Sequence, residues 1–482
     1  VTHHIEIPTI RPAIRVLSDE AVREIHYATL EIFEQIGVDM QDPQGRALLL
    51  DAGAWESGGR LRIPERLLVD ALNTAPSRIP MYNRLGELSM PLELGKVFFG
   101  TGSDTIFTLD VVSGERRRAA VQDVEDIARL SDALQNINFV MSMGVASDVP
   151  GNDIYLHEFI RMLRGSVKPN VYTARDREDM EDIYKIAVAV AGGEQALREK
   201  PFLLHYAEPI SPLLINEESL QKIAFCAEKG IPSAYIPSPN PGGGGPVTLA
   251  GAIAVGNAEC LVGLIVAQLI RPGAPFLYGM NTAALDMKTT IVSYGSPEWS
   301  LGMAGWTELA RYYGLPVWGY AGATDSKVID AQAGAEATFS IYNAFLSRCT
   351  LNHDVAYIEY GSTSSMEMLV LADEIIDMVG RFMRGIPVNR DTLALEAVGR
   401  VNPGSGFLAD DHTLDHFREF QWAPKVFDRK RFDLWDNAGK KDAFQRANER
   451  ARQILSRHEV PPLHPESEAV IADILEERGA QD

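Results

Sequence analysis

Cysteine is scarce in this 482-residue chain: Cys226, Cys260 and Cys349 are far apart and odd in number. No CxxC pair or Cys/His cluster occurs, which argues against a disulfide framework and a structural zinc site. Scarce, unpaired thiols suit a reducing cytoplasm, the expected location. Basic residues are also few, 45 Lys plus Arg against 66 Asp plus Glu, for a net charge of −21. Tracking nucleic-acid phosphates needs a dense basic patch, so nucleic acid is not an expected partner. No Gly-Lys-Ser/Thr follows a glycine-rich run, so there is no P-loop. No glycine fingerprint with a downstream acid marks S-adenosylmethionine or NAD. The opening Val1-Thr2-His3-His4 lacks the basic and apolar regions of a signal peptide. Residues Val247 to Ile270 are long enough to span a bilayer but contain Asn257 and Glu259. An ionised carboxylate at mid-membrane costs about 2.5–3.5 kcal/mol, so a buried helix and no membrane association are expected.

What the chain does have is a hydrophobic content of 46%, normal for a globular fold. Residues 18–36 read as an amphipathic helix capped by Ser18 and stopped by Gly37. Shorter helical patterns near 43–52 and 63–75 complete an N-terminal helical region, 1–90. Over 91–384 short apolar runs alternate with helical stretches. The runs are Val97–Gly100, Phe139–Gly144, Asn170–Thr173, Phe202–Tyr206, Ser233–Ile236, Pro275–Gly279, Pro316–Tyr320 and Val355–Glu359. The helical patterns are 121–134, 154–165, 177–192, 217–229, 248–270, 297–313, 330–348 and 364–383. Thr105–Arg118 adds a possible hairpin. Eight such repeats predict an α/β fold, a (β/α)8 TIM barrel, with a doubly wound open sheet as the alternative. Prolines then punctuate a C-terminal helical extension, 385–482.

In such a barrel the chemistry sits on loops after the strands. Those loops repeat two residue types. Carboxylates recur at Asp104, Asp148, Glu208, Asp325 and Glu359, and aromatics at Tyr206, Tyr235, Tyr278, Tyr294, Trp299, Tyr320 and Tyr360. Aromatic faces beside carboxylates suit an organic cation, because a quaternary ammonium has no N–H to satisfy. Each such residue can equally be core or a helix cap. His205 and His353 are candidate acid–base groups, or hydrogen-bonded core residues. The run PSPNPGGGGP (237–246), with Gly242, Gly243, Gly244 and Gly245, allows close backbone approach to a ligand or a moving loop.

The block YYGLPVWGYAGATDSKVIDAQAG (312–334), then NHDVAYIEYGSTSSMEMLVLADEIIDMVGRFMRGI (352–386), resembles the trimethylamine methyltransferase family. SYGSPEWSLG (293–302) and the glycine-rich loop extend the likeness over most of the barrel. The resemblance implies a TIM barrel that moves a methyl group from a methylated amine to the Co(I) corrinoid of a separate small protein. Archaeal members carry pyrrolysine; this chain has only the twenty standard residues, which places it with the non-pyrrolysine branch, whose members act on quaternary amines such as glycine betaine. The expected substrate is thus glycine betaine or a close analogue such as proline betaine, carnitine or choline. The expected substrate-binding residues are Asp104, His205, Tyr206, Glu208, Tyr235, Tyr278, Tyr294, Tyr320, His353 and Glu359. A betaine carboxylate would need a donor, for which Arg175, His205, His353 or backbone N–H groups are candidates. No catalytic residue is singled out.

The corrinoid-binding pattern D-x-H-x-x-G is not matched: Asp410-Asp411-His412-Thr413-Leu414-Asp415 has Asp where Gly is required. No cofactor is therefore expected on this chain. The corrinoid (cobalamin) should arrive on a partner facing Gly242–Gly245 and parts of 385–482, and a homo-oligomer is expected. Two other readings remain: a metal-dependent TIM-barrel lyase or hydrolase using Asp104, Asp148, Glu208 and Glu359, and a quaternary-amine-binding protein without catalysis. In the leading reading no metal is bound.

Overall fold

The computed structural model describes residues 11–479, so the reading of Val1-Thr2-His3-His4 lies outside the described residues. Seven parallel strands form one curled sheet: β1 (Phe98–Phe99), β2 (Asn170–Tyr172), β3 (Leu203–Ala207), β4 (Ser233–Tyr235), β5 (Phe276–Gly279), β6 (Val317–Tyr320) and β7 (Leu351–His353). Their order is β1-β7-β6-β5-β4-β3-β2. Helices Arg177–Ala191, Glu217–Lys229, Leu249–Ile270, Pro297–Tyr313 and Ala331–Ser347 connect β2 through β7 in sequence and pack outside the sheet. Their ends follow local chemistry. Asp176, Ser296 and Asp330 cap N-termini with side-chain oxygens, and Gly192, Gly230 and Gly314 close C-termini in the left-handed conformation.

Two of the expected strands need correction. The run Phe139–Gly144 was expected as a full strand; it makes only two single parallel bridges, Phe139 to Gly100 and Val140 to Asn170. Side chains replace the backbone ladder there. Asn138 Oδ1 accepts from Phe99 N at 2.9 Å, and the Thr101 hydroxyl bonds both the N–H and the carbonyl of Met141. The regular sheet therefore has seven strands rather than the expected eight. The last strand is Leu351–His353, not Val355–Glu359. The later apolar run leaves the sheet, and Tyr357–Ile358 joins Thr363–Ser364, Phe107–Leu109 and Arg116–Arg118 in a second, four-stranded sheet. The expected hairpin at 105–118 is the Phe107–Leu109/Arg116–Arg118 pair.

Residues before β1 hold helices Asp19–Glu31, Pro43–Asp51 and Glu65–Thr74, together with hairpins Trp55–Ser57/Arg60–Arg62 and Arg78–Tyr82/Leu88–Glu93, where helices alone were expected. Helix Leu249–Ile270 is long and apolar enough to cross a membrane. It is nevertheless buried, packed by helices Asp19–Glu31, Glu65–Thr74, Glu217–Lys229 and Pro297–Tyr313. Its polar residues are satisfied: Asn257 donates to Thr29 Oγ1 and Tyr313 Oη at 2.8 Å, and Glu259 accepts from Ser211 Oγ at 2.7 Å. After helix Met366–Met383 the chain is fastened by Glu374, whose carboxylate accepts from the backbone N–H groups of Lys425, Val426 and Phe427.

Candidate active site

Side chains alternate across a strand, and this sorts the expected residues into two groups. The Tyr206 and Trp318 rings stack at 4.9 Å although β3 and β6 are separated by β4 and β5. Both therefore point into the space enclosed by the curled sheet. His353 joins them, 4.6 Å from Trp318, 4.5 Å from Tyr320 and 5.5 Å from Tyr206. Trp299 lies 5.5 Å from Tyr320 and stacks on Tyr294 at 5.0 Å, which extends the aromatic wall outward. Three expected residues face the helices instead. Tyr235 shares a hydrogen bond with Ser219 Oγ (3.1 Å), and Tyr278 donates to Asn257 Oδ1 (2.7 Å). His205 packs on Tyr172, whose hydroxyl meets Met180 on helix Arg177–Ala191. Neither ring nitrogen of His205 has a hydrogen-bond partner, and burial holds the ring well below its usual pKa.

Carboxyl groups lie against the aromatic wall. Asp104 and Glu208 sit deep among protein atoms yet keep accessible side chains, so they line a recess. Its depth raises Asp104 to about 6, with Lys222 acting in the opposite direction. Glu208 is also raised, by burial, although it accepts a hydrogen bond from the Tyr206 hydroxyl. Asp354, beside His353, is only 2% exposed; burial and then the nearby Glu208 hold it well above the usual carboxylate range. Its Oδ1 is 3.0 Å from His353 Nδ1, and burial holds that imidazole well below its usual pKa, so the pair favours its neutral form. Glu158 lies behind Asp104 and is pushed well up by burial and by the Asp104 charge.

Tight packing fixes this arrangement. A Cβ on Gly102 would lie 2.2 Å from Tyr357 Cζ and 2.6 Å from Asp354 Oδ1. The Tyr357 hydroxyl donates to the Ser103 carbonyl. Asp325 accepts from Tyr294 N at 2.9 Å and from the Ser293 hydroxyl, which holds the Tyr294 ring over the recess edge. Trp299 Nε1 donates to Asn281 Oδ1 at 3.0 Å.

The remaining expected residues lie apart from this group. Glu359 pairs with Arg116 at 2.8 Å and accepts from Thr363 Oγ1 at 2.6 Å in the second sheet. Asp148 accepts from Val121 N at the start of a helix. Arg175 is bound to Asp176, Asp179 and the Asn152 carbonyl. The four carboxylates of the metal-enzyme reading therefore do not converge. Among the described residues no three His, Cys, Asp or Glu side chains come together as a metal-holding group. The glycine run forms a tight turn: Gly242 has φ +87°, and Gly243 N and Gly245 N both donate to Asn240 O. This turn packs beside the hairpin Ala284–Leu285/Val292–Ser293, with Leu285 N donating to Pro241 O at 3.1 Å.

Asp354, Tyr357 and Trp318 belong to the site but were not among the expected residues. Asp354 and Tyr357 follow the true last strand, so misplacing that strand hid them. Trp318 could have been found from the alternation that places Tyr320 inward, two residues on.

Comparison with known proteins agrees with this architecture. The family model described as "Trimethylamine methyltransferase (MTTB)" matches residues 2–481. The chain is 31% identical over 475 residues to the glycine betaine methyltransferase of Desulfitobacterium hafniense (strain Y51), covering 98% of each chain. It is 33% identical to the trimethylamine methyltransferase MttB of Methanosarcina barkeri (strain Fusaro / DSM 804), covering 97% of this chain and 94% of that one. The crystal structure of the Methanosarcina barkeri monomethylamine methyltransferase (MtmB) superposes with a TM-score of 0.52 at 13% identity, over 92% of this chain and 88% of that one. That likeness supports the fold alone.

Proposed function

The chain belongs to the trimethylamine methyltransferase family, and from that premise we propose that it moves a methyl group from a quaternary amine to the Co(I) corrinoid of a separate corrinoid protein. Glycine betaine, proline betaine, carnitine and choline are the candidate donors. The observation that carries this reading is the aromatic wall of Tyr206, Trp318, Tyr320, Tyr294 and Trp299 beside the accessible carboxyls of Asp104 and Glu208. Aromatic faces and carboxylates hold a quaternary ammonium without needing an N–H contact. Such a donor already has a neutral amine as its leaving group, so no acid is required. Co(I), delivered as a co-substrate, can attack the methyl carbon in line. The protein then has to hold the two partners in register, which is catalysis by proximity.

The partner should approach the strand ends near Gly242–Gly245. A turn of glycines lets another protein come close to the recess, and Val247 and Met287 are exposed beside it. Asp410 caps helix Asp411–Phe420, so the run that begins like a corrinoid motif serves here to start a helix. We read the Phe139 and Val140 bridges as the eighth strand of a closed (β/α)8 barrel over 91–384, between an N-terminal region, 1–90, and a C-terminal extension, 385–482. Three free, buried thiols accord with the proposed cytoplasmic location.

The extension also supports a homo-oligomer. Ile386 is 82% exposed and Leu408 92%, and Leu414 and Phe432 are exposed in the same stretch of chain. Between Arg384 and Leu434 eight basic residues balance eight acidic ones, on a chain of net charge −21. A segment that exposes apolar side chains and carries no net charge is where two strongly acidic copies can meet. Light scattering should find an oligomer that L408E dissociates; a monomeric wild type would remove this part.

The function is tested by mixing the chain with a quaternary amine and a Co(I) corrinoid protein. Loss of the Co(I) absorption only when all three are present is expected. No loss with any quaternary amine would refute the proposal.

A further inference from the structure

Every acidic side chain in the recess has a neighbour of the same sign. Glu208 feels Asp104, Asp354 feels Glu208, and Glu158 feels Asp104. One cation, Lys222, bears on Asp104 and Glu208, but its ammonium is engaged elsewhere. It donates to the Ala174 carbonyl at 2.8 Å and pairs with Glu218 at 3.5 Å. Arg116 and Arg175 are tied to Glu359 and to Asp176 and Asp179. His353 and His205 are kept neutral by burial, and His205 faces the helix layer. Of the side-chain donors suggested by sequence for a substrate carboxylate, Arg175 is thus occupied, His205 turned away and His353 uncharged.

The neutral groups point the same way. The Tyr206 and Tyr357 hydroxyls donate to Glu208 and to the Ser103 carbonyl. The Tyr320 hydroxyl is buried beside that of Tyr206 and makes no hydrogen bond of good geometry within the protein. A buried hydroxyl without a partner costs about 1–3 kcal/mol, so it is a natural contact for a substrate group. It can donate to or accept from an alcohol, but brings no charge to offset a carboxylate placed beside Asp104 and Glu208.

Resting on the quaternary-amine reading above, we infer that this site selects a quaternary ammonium cation whose other end is neutral, an amino alcohol, over a zwitterionic betaine. The ammonium group sits against the aromatic wall and the carboxyls, and the hydroxyl meets Tyr320.

Calorimetric titration of the full chain with choline, tetramethylammonium and glycine betaine tests this. Choline should bind about tenfold or more tighter than glycine betaine, because bringing like charges together at a binding site is unfavourable. Tetramethylammonium should bind more weakly than choline and more tightly than glycine betaine. Glycine betaine binding as tightly as choline overturns the preference while leaving the quaternary-amine reading intact. Binding of none of the three overturns both. Glu208→Gln gives an independent check on charge. It should weaken choline about tenfold and leave glycine betaine unchanged or tighter, with the variant's melting temperature confirming a folded chain. Equal weakening of both ligands would refute charge selection.

Discussion

Gly102 lies in the loop just after β1, at the recess, and its replacement by alanine tests how the site is held. The new Cβ would lie 2.2 Å from Tyr357 Cζ, 2.3 Å from its hydroxyl and 2.6 Å from Asp354 Oδ1. Contacts below 3 Å cannot persist, so something must move. The backbone resists, because the Gly102 carbonyl accepts from Met143 N at 2.8 Å and the neighbouring Thr101 hydroxyl bonds Met141. Tyr357 must therefore shift and release the Ser103 carbonyl. Overpacking costs about 1–3 kcal/mol. The lost hydrogen bond adds about 1 kcal/mol. Urea denaturation should show Gly102→Ala destabilised by about 2–4 kcal/mol in total. Displacing Tyr357 also crowds Asp354 and the recess, so amine affinity should fall at least severalfold. Adding Tyr357→Ala makes room for the methyl group. The double variant should be less destabilised than the sum of the singles and should still bind amine poorly. A Gly102→Ala protein with wild-type stability and affinity would refute the packing described here.

Glu259 is buried and raised from 4.5 to about 7, chiefly by burial. A raised carboxyl stabilises the fold below its unfolded pKa, and that contribution is lost as pH climbs from 4.5 through 7. Between pH 4.5 and 8 the stability difference should move in favour of Glu259→Gln by roughly 3 kcal/mol; denaturation curves with no such drift would contradict the assignment. Tyr320→Phe removes a hydroxyl with no protein partner, so stability should be unchanged or rise by up to about 1 kcal/mol while choline affinity falls; calorimetry and urea melts together check both halves. Gly245→Ala places a Cβ 2.7 Å from the Pro239 carbonyl oxygen and must reshape the glycine turn. Amine binding should persist while methyl transfer to the corrinoid protein slows; an unchanged transfer rate across salt concentrations would move the docking site elsewhere.

Much of the curled parallel sheet was legible because each βα repeat carries its own signal. β2 to β6 and the five helices between β2 and β7 fall where the apolar runs and helical periods placed them. The last strand was not legible. Val355-Ala356-Tyr357-Ile358 is the more apolar run, but its last two residues pair in the second sheet, while the less apolar Leu351-Asn352-His353 enters the first. Burial beside a sheet and burial within it leave the same mark on composition. The site was half legible for a related reason. Tyrosines on successive strands look alike in sequence, and only register shows that Tyr206 and Tyr320 face inward while Tyr235 and Tyr278 face the helices. Alternation could have been applied from Tyr320 to Trp318, two residues before it on the same strand. The pairing of Asp354 with His353 could not be seen before the strand itself was placed.

The central claim is that this recess strips a methyl group from a quaternary amine rather than merely holding it. The most direct measurement follows both products in one reaction, with the chain, choline or a betaine, and the Co(I) corrinoid protein. Methyl-cobalt is read by its absorption and the demethylated tertiary amine by mass spectrometry. One tertiary amine formed for each methyl-cobalt is the expected result. An amine that binds in the recess but is recovered intact, with cobalt unmethylated, would contradict the account and leave a binding protein in its place.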